Sequence, residues 1–338
     1  MKDIGIDLGS SNTVIYVKGH GIKLNEPSVV AVNANTGNPV AVGSAAEKMI
    51  GRTPENIIAV KPVREGVIAD FEVAEFMLRY FVSKACGASV KIGGAKMLIS
   101  VPTRITEVEQ MAVLEAAKGA VSSKAKTRLI EEPLAAAIGA ELPVAAEEAV
   151  GSMIVDIGGG TTEVAVISMG GIIKGDSIKV AGEKFDNAKM NYLKQEYNLL
   201  IGEKTAEKVK REIGSVYPRV EEVYYDVKGR DLISGLPNSI KIGSLELIEP
   251  IKEPVMQIVN TVKSVLDGLD PEISADIATN GIVLSGGGAL LNGLSEILRV
   301  ETNVPVTVAD SPLECVAFGT GMCLSESRLR SLINANRR

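Results

Sequence analysis

The chain has 338 residues, 46% of them apolar, which is enough for about two domains with sizeable cores. Its 42 acidic residues outnumber 36 basic ones, and the net charge of −6 argues against nucleic acid as the main partner. Aromatic residues make up 4% and Trp is absent, so no stacking platform for single strands is evident.

Met1-Lys2-Asp3 runs directly into a strand, so no signal peptide is expected. The first motif follows at once: Ile4-Gly5-Ile6-Asp7-Leu8-Gly9-Ser10-Ser11-Asn12-Thr13, then Val14 to Val17, which reads as strand, tight turn, strand. The hairpin ends at Lys18-Gly19-His20-Gly21, where the single histidine reads as a solvated turn residue rather than a base. Ile22 to Asn25 resumes a strand, Pro27 breaks it, and Ser28 to Val32 forms another. Asn35 to Pro39 is a turn cluster, and Ser44 is expected to cap a short helix, Ala45 to Ile50, that stops at Gly51. Ile57 to Val60 and Val67-Ile68 are short strands. Residues 29–66 are too few for a domain and read as a small inserted lobe.

Phe71 to Ala85 is an amphipathic helix with Val73, Phe76, Met77, Tyr80 and Phe81 at core-facing spacing. Cys86 to Gly94 is a polar, Gly-rich loop, and Lys96 to Val101 a strand. Ile105 to Gly119 is a helix whose Thr106 and Glu109 have the spacing of a capping box. The strand Arg128 to Ile130 then leads into Glu131-Glu132-Pro133 and an Ala-rich helix. Paired carboxylates there fit the positive end of a helix, or a group that orients a water for attack on a terminal phosphate. These residues alone leave both readings open.

Ala145 to Ala149 links two halves. Beyond it, Met153 to Ile167 contains Asp156-Ile157-Gly158-Gly159-Gly160-Thr161-Thr162-Glu163 between apolar strands. Three glycines allow positive φ and close approach to an anion, successive N–H groups form an anion nest, and the two threonine hydroxyls are expected to add donors. Asp156 suits a Mg²⁺ held through water. The pattern repeats the first motif: Asp7 aligns with Asp156, Gly9 with Gly158, Thr13 with Thr162, and Val14 with Glu163. Such a repeat implies two related halves, each giving one phosphate hairpin to a cleft between them.

The rest of the chain follows with a strand over Ile172 to Val180, helices over Asp186 to Tyr197 and Gly202 to Ile213, and strands over Val223 to Asp226 and Ser239 to Ile242. Glu246 to Leu269 is a long helix. Gly281 to Leu291 reads as strand, glycine turn and helix, and its Gly286-Gly287-Gly288 can lie against a purine or feed N–H groups to phosphate. Pro305 to Val308 is a strand, and Cys315 to Leu324 an apolar helix. The three cysteines, Cys86, Cys315 and Cys323, have neither metal nor disulfide spacing and read as reduced thiols of a cytoplasmic protein. No apolar run is long enough to span a bilayer.

The ordered set Asp7-x-Gly9, Glu132-Pro133, Asp156-x-Gly158-Gly159-Gly160-Thr161 and Gly286-Gly287-Gly288 resembles the actin, sugar-kinase and heat-shock ATPase superfamily. Within it, Leu24 to Ala31, Gly66 to Phe71, Ile130 to Pro133, Val155 to Val166, Leu199 to Glu203, Gly229 to Leu232 and Ser285 to Leu291 resemble the MreB family of bacterial actin homologues. The resemblance implies an α/β, actin-like fold of two related domains, each with a smaller inserted subdomain, and a nucleotide between them. The implied divisions are 1–28, 67–145 and 314–338 with lobe 29–66, and 146–180 and 247–313 with lobe 181–246. It implies Mg²⁺ near Asp7 and Asp156, and Glu132 positioning the attacking water, with Glu131 the weaker candidate. ATP would contact Gly9, Ser10, Ser11, Asn12 and Thr13, then Gly158, Gly159, Gly160, Thr161 and Thr162. Gly182, Glu207 and Lys210 would take the ribose and adenine side with Gly286, Gly287 and Gly288. Ser10 and Ser11 replace the Thr-Ala usual in the family.

The implied activity is slow ATP hydrolysis coupled to polymerisation into protofilaments, paired and serving cell shape and wall synthesis with membrane-embedded partners. A chaperone-type ATPase would need a C-terminal peptide-binding domain, which nothing after Arg338 supplies. A non-polymerising scaffold and a small-molecule kinase are the rival classes. Membrane attachment is where the chain departs from its relatives: Met1-Lys2-Asp3 leaves no room for an N-terminal amphipathic helix, and the 86–94 loop offers only Val90 and Ile92. The tail has Leu329, Leu332 and Ile333 beside Arg328, Arg330, Arg337 and Arg338. It can lie on an anionic surface at the inner face of the membrane or pack on its own domain.

Overall fold

The structure is a computed structural model, and it describes residues 2–87, 95–121, 125–144, 149–326 and 329. The first half begins with β1 (Lys2–Leu8), β2 (Asn12–Val17) and β3 (Gly21–Pro27), then the small strands β4 (Val30–Asn33) and β5 (Pro39–Val42). Helix α1 (Ser44–Glu47), β6 (Ile57–Val60), β7 (Val63–Arg64) and β8 (Val67–Ile68) complete the lobe. Helix α2 (Phe71–Cys86), β9 (Ala95–Val101), α3 (Glu107–Val121), β10 (Lys126–Glu131) and α4 (Glu132–Gly139) follow.

The second half repeats the plan with β11 (Ser152–Ile157), β12 (Thr162–Ser168) and β13 (Gly171–Ile178). Its lobe comprises α5 (Gly182–Tyr197), β14 (Leu199–Leu200), α6 (Glu203–Ile213), β15 (Tyr224–Asp231) and β16 (Pro237–Gly243). Helices α7 (Ile248–Asp267) and α8 (Pro271–Asn280), β17 (Ile282–Ser285), a 3₁₀ turn (Gly287–Leu290), α9 (Leu294–Thr302), β18 (Val306–Val308) and α10 (Cys315–Ser325) close the described chain.

The two large sheets have the same topology. One runs β3-β2-β1-β9-β10 and the other β13-β12-β11-β17-β18. In each, the first three strands form an antiparallel meander and the last two join in parallel to the first strand. The motif repeat read from the sequence is therefore a repeat of whole sheets. Every residue of β11 and β12 is buried, as expected for strands covered on both faces.

One face of the first sheet packs on α2 and α3, where Met77, Leu78 and Phe81 meet Ile4, Ile6 and Ile99. One face of the second packs on α7, through Ile258, Val259 and Val262. The inward faces share a third core: Leu98 and Ile130 of one sheet and Ile154, Ala165 and Ile167 of the other bury against α4 and α10. Leu329 is buried in the same core, whereas the rest of the tail lies outside the described residues, as do residues 88–94 of the loop weighed for membrane contact and most of the 145–149 link. Among the described residues no helix is long and apolar enough to cross a membrane.

Helices α4 and α10 touch backbone to backbone. A Cβ on Gly319 would lie 1.8 Å from the Ala135 carbonyl oxygen, and one on Gly139 would lie 1.8 Å from that of Cys315. Beyond Glu132, α4 is apolar on every side, and α10 is nearly so, as expected for helices enclosed over most of their length.

Several local expectations are met. Thr106 and Glu109 form the capping box, with Thr106 N donating to Glu109 Oε2 at 2.8 Å and Glu109 N to Thr106 Oγ1 at 3.3 Å. Pro133 stands in the first turn of α4. The three cysteines are free and buried.

Others are corrected. Ser44 is not the cap of α1 but its first residue, and its hydroxyl donates instead to Glu26 Oε2 at 2.6 Å. Tyr80 does not face the core: it is 44% exposed, and Leu78 takes the inward position. Helix α5 starts at Gly182, four residues earlier than expected, because the second hairpin supplies the acceptors for its first N–H groups. Strand β15 continues through Gly229 to Asp231, where a Cβ at Gly229 would lie 2.6 Å from the Leu200 carbonyl oxygen.

Candidate functional site

The site forms where both meanders point their first turns into the gap between the sheets. Asp7 is the next-to-last residue of β1 and half-buried, and Asp156 is the next-to-last residue of β11 and buried. Register places a serine beside each. Ile6 pairs with Ile99, setting Ser100 next to Asp7, and Asp156 pairs directly with Ser285. Ser100 Oγ donates to Asp7 Oδ1 at 3.4 Å, and Ser285 Oγ to Asp156 Oδ1 at 2.6 Å. Neither serine emerges as a site residue from local motifs, because each reaches its aspartate across a strand pair. Extending the repeat to Ile99-Ser100 and Leu284-Ser285 would have found them.

Two further carboxylates complete the cluster. Glu132 opens α4 at its N-terminus and is 7% exposed. Glu163 is fully buried on β12, accepts from Thr103 N at 3.1 Å and from Ser177 Oγ at 2.5 Å, and so ties the loop after β9 to the second sheet. Its alignment with Val14 gave no hint of this, since the buried carboxylate belongs to one half only.

Burial pushes the Asp7 carboxyl up to about 7, with Asp156 adding repulsion and Ser100 offsetting part of it. Burial pushes Asp156 up to about 6 against the Ser285 hydrogen bond. Glu132 is raised well above the ordinary carboxyl value by burial and then by Glu163, Asp7 and Asp156. Burial also raises Glu163, against its hydrogen bonds from Ser177 and Thr103. Like charges crowded in a low dielectric hold protons that separate carboxyls would release.

The two hairpins abut. A Cβ on Gly159 would lie 2.0 Å from Ser11 Oγ, and one on Gly160 would lie 2.7 Å from Ser10 Oγ and 2.9 Å from Glu65 N. Gly9, Gly158, Gly159 and Gly160 all keep negative or extended φ, which corrects the expectation of positive φ: Gly9, Gly159 and Gly160 need glycine for close approach. Ser10 Oγ accepts from Gly66 N at 3.1 Å, fastening the end of the first lobe to the first hairpin.

The threonine hydroxyls also differ from expectation. Thr162 is fully buried and its Oγ1 donates to the Val180 carbonyl at 2.6 Å, so it braces the second hairpin and adds no donor to the turn. Thr13, its counterpart, is fully buried against Ser28 Oγ at 2.9 Å. Ser28 Oγ donates in turn to Gly9 O at 2.7 Å. Asn12 is exposed at the start of β2 and donates to Asn25 Oδ1 at 2.6 Å. Ser11 is exposed at the tip, and Thr161 is buried.

Of the remaining second-half residues, Gly182, Gly286 and Gly288 lie against Ile157 to Gly159, whereas Lys210 reaches that turn only through Gly182 and Glu207 has no contact there. The N–H groups of Gly182 and Glu183 donate to the carbonyls of Gly158 and Gly159 at 3.2 and 2.9 Å. Lys210 Nζ donates to Gly182 O at 3.2 Å and to Asp186 Oδ2 at 2.6 Å, while Glu207 is exposed one turn earlier on α6. Gly286 has φ +78°, and a Cβ there would lie 2.3 Å from Ile157 O. A Cβ on Gly288 would lie 2.2 Å from Ile157 Cγ2, and one on Gly287 only 3.2 Å from Leu313. Glu131 stands beside Glu132 on the strand side and is raised by burial and then by Glu163.

Ion pairs span the mouth of the cleft. Lys61 Nζ, in the first lobe, reaches Glu183 Oε1 at 3.0 Å and Glu203 Oε2 at 3.1 Å in the second. Burial works against its charge, yet these carboxylates outweigh it and hold its pKa above the ordinary lysine value. Glu65 pairs with Lys179 at 3.3 Å and Arg104 with Asp176 at 3.1 Å.

Comparison with known proteins agrees with this architecture. The family model "MreB/Mbl protein" matches residues 1–331. The chain is 51% identical over 325 residues to the cell shape-determining protein Mbl of Bacillus subtilis (strain 168), covering 96% of each. It is 49% identical over 327 residues to the cell shape-determining protein MreB of Escherichia coli (strain K12), covering 96% of this chain and 93% of that one. The crystal structure of MreB5 of Spiroplasma citri bound to AMPPNP superimposes with TM-score 0.91 at 37% identity, covering 99% of this chain and 98% of that one. The MamK double helical filament, at 23% identity and TM-score 0.78 over 96% of this chain and 99% of that one, shares the fold. With matched sheets, paired hairpins and this breadth of similarity, the chain belongs to the MreB/Mbl family of actin-like proteins.

Proposed function

We propose that this chain binds ATP with Mg²⁺ in the cleft, hydrolyses it slowly, and assembles into filaments that serve cell shape and wall synthesis at the cytoplasmic face of the membrane. The observation that carries this reading is the pair of matched hairpins closing over one buried carboxylate cluster. The S. citri relative has been captured with AMPPNP and with ADP, which supports a nucleotide in this cleft. The domain divisions inferred from the sequence remain part of the proposal, supported by the membership of the two large sheets.

In this reading the backbone of Gly9 to Thr13 and of Gly158 to Thr162 cradles the phosphates, with the Ser10 and Ser11 side chains at the first turn. Gly182, Glu207, Lys210 and Gly286 to Gly288 surround the nucleoside. Glu132 orients the attacking water. Asp7 and Asp156 suit Mg²⁺, which binds proteins through one or two carboxylates, waters and substrate phosphates rather than a full protein cage. Among the described residues no group of three or more His, Cys, Asp or Glu side chains is placed to hold a metal by itself. When bound, the ion offsets phosphate charge. It would also offset part of the carboxylate repulsion that, after burial, raises Glu132.

This gives a pH dependence. Asp7 and Asp156 hold protons more tightly folded than unfolded, so their contribution to ligand-free stability is full below about pH 4. It is lost as pH rises through about 6 and about 7. Mg²⁺-ADP reverses that loss, so its thermal stabilisation of the chain is expected to be larger at about pH 7 than at about pH 5. A shift that shrinks between about pH 5 and about pH 7 would oppose the cation assignment.

The ion pairs at the cleft mouth give a second expected result. Lys61→Met should speed release of a fluorescent nucleotide several-fold, while unfolding free energy changes by less than about 1 kcal/mol, as for partly exposed pairs. Stopped-flow displacement and denaturation on the same sample separate the two effects.

The whole reading is tested by sedimentation and electron microscopy with ATP-Mg²⁺, with ADP and without nucleotide. ATP-dependent filaments support it. Nucleotide binding without polymer in any state would favour a non-polymerising scaffold, and phosphoryl transfer to a small hydroxyl compound would favour a kinase.

A further inference from the structure

Beside the site lies a lysine that the reading above does not use. Lys189, on α5, has no exposed surface, and its Nζ has no hydrogen-bond partner among the described residues. It sits 3.5 Å from Asp186 Oδ1. That oxygen also has no hydrogen bond, whereas Asp186 Oδ2 accepts from Lys210 at 2.6 Å. Asp186 therefore lies between two ammonium groups, one buried behind it and one facing the Gly182 turn. Burial pulls Lys189 down to about 8, with Asp186 opposing the change and Lys210 adding to it, so the group is charged at neutral pH.

A buried ammonium with one long ion pair is a poor way to stabilise a fold. An apolar side chain of the same size would serve better. The geometry offers another use. An ammonium has three donor hydrogens. Lys210 directs one to Asp186 and one to Gly182 O, leaving the third for a ligand beside Gly158. That arrangement requires Asp186 to hold one rotamer. The spacing of Gly182, Asp186 and Lys189 along α5 puts all three on one helix face.

We propose that Lys189 is a positioning residue for the nucleotide: it holds one oxygen of Asp186 so that the other presents Lys210 to the ligand at the Gly182 turn. The cluster also carries one net positive charge, which favours an anion in a cleft otherwise rich in carboxylates. This inference rests on the nucleotide reading of the cleft and adds a determinant of affinity to it.

The test is titration of ADP-Mg²⁺ into the full chain, wild type, Lys189→Met and Lys194→Met. Lys194 is exposed on the same helix and controls for charge alone. Lys189→Met is expected to bind about tenfold more weakly, equivalent to roughly 1.4 kcal/mol, while its ligand-free thermal midpoint stays level or rises. Lys194→Met is expected to match wild type. A purely structural lysine would lower both midpoint and affinity, or neither.

The wild-type chain supplies a second measurement should Lys189→Met fail to fold. The charged groups acting on Lys189 are Asp186 on its own helix and Lys210 on α6, and the buried face of α7 is apolar apart from Thr261. Wild-type affinity should therefore fall as pH rises through about 8. Wild-type binding with Lys189→Met unaltered, or a flat pH profile, overturns this inference alone. A wild type that binds no nucleotide overturns the functional reading with it.

Discussion

Glu132→Gln is expected to cut ATP turnover by roughly 10²- to 10⁴-fold, the usual contribution of a positioned acid–base group, while raising the thermal midpoint of the ligand-free chain. The two effects have opposite signs for one reason. Glu132 is buried among Glu163, Asp7 and Asp156, and each of them disfavours its charge. A neutral amide of the same shape relieves that repulsion, so the nucleotide-free fold gains. The same amide cannot take up a proton from water, so hydrolysis loses. Affinity for ATP should change little, because the hairpins that cradle phosphate lie on β1–β2 and β11–β12 rather than on α4. Filaments formed with ATP should persist longer than those of the wild type. Phosphate release under saturating ATP-Mg²⁺, with a melting curve on the same sample, checks both signs. Unchanged turnover would move the role to Glu131 or Glu163. A lowered midpoint would mean that Glu132 is held by contacts the carboxylate repulsion does not describe.

Much of this was legible in the sequence because it is written locally. Asp7 and Asp156 each follow an apolar strand and precede a glycine turn, and that spacing alone revealed two hairpins and a repeat. Glu132 stood out through its neighbour Pro133, which marks a helix start. The information that stayed hidden depends on strand register and on approach between distant segments. Ser100 and Ser285 meet their aspartates only across a parallel strand pair. Glu163 meets Thr103 across the cleft, and Lys61 meets Glu183 at its mouth. Side-chain direction was equally hidden. Thr162 and Thr13 carry the expected residue type at the expected spacing, yet their hydroxyls turn back to Val180 and Ser28. Gly159 and Gly160 of the second hairpin leave no room for a side chain because of the neighbouring hairpin and not because of their own dihedral angles.

The second large effect concerns a residue that no motif marks. Gly319→Ala is expected to destabilise the fold by roughly 3 kcal/mol or more, at or beyond the upper end for overpacked cores. The added methyl would lie 1.8 Å from the Ala135 carbonyl oxygen, which is backbone and cannot rotate away. Relief requires α10 and α4 to move apart. That movement is opposed from both sides, because α10 packs on β1, where a Cβ at Gly5 would already lie 2.3 Å from Thr320 Oγ1. Gly139→Ala should behave alike, since its methyl would meet the Cys315 carbonyl oxygen at the same 1.8 Å. Gly171→Ala is the matched control. Its φ is not positive and its nearest neighbour would be 4.0 Å away, so its effect should stay within about 0.5 kcal/mol. Urea denaturation of the three variants makes the comparison. A folded protein has about 5–15 kcal/mol in reserve, so Gly319→Ala chains should remain partly folded and assayable. In that fraction turnover should fall more than affinity. Helix α4 carries Glu132 at its first residue, whereas the phosphate hairpins are set by the sheets. Equal losses of turnover and affinity would mean that the helix crossing sets the cleft as a whole; a midpoint within error of wild type would mean that the two helices can part without strain.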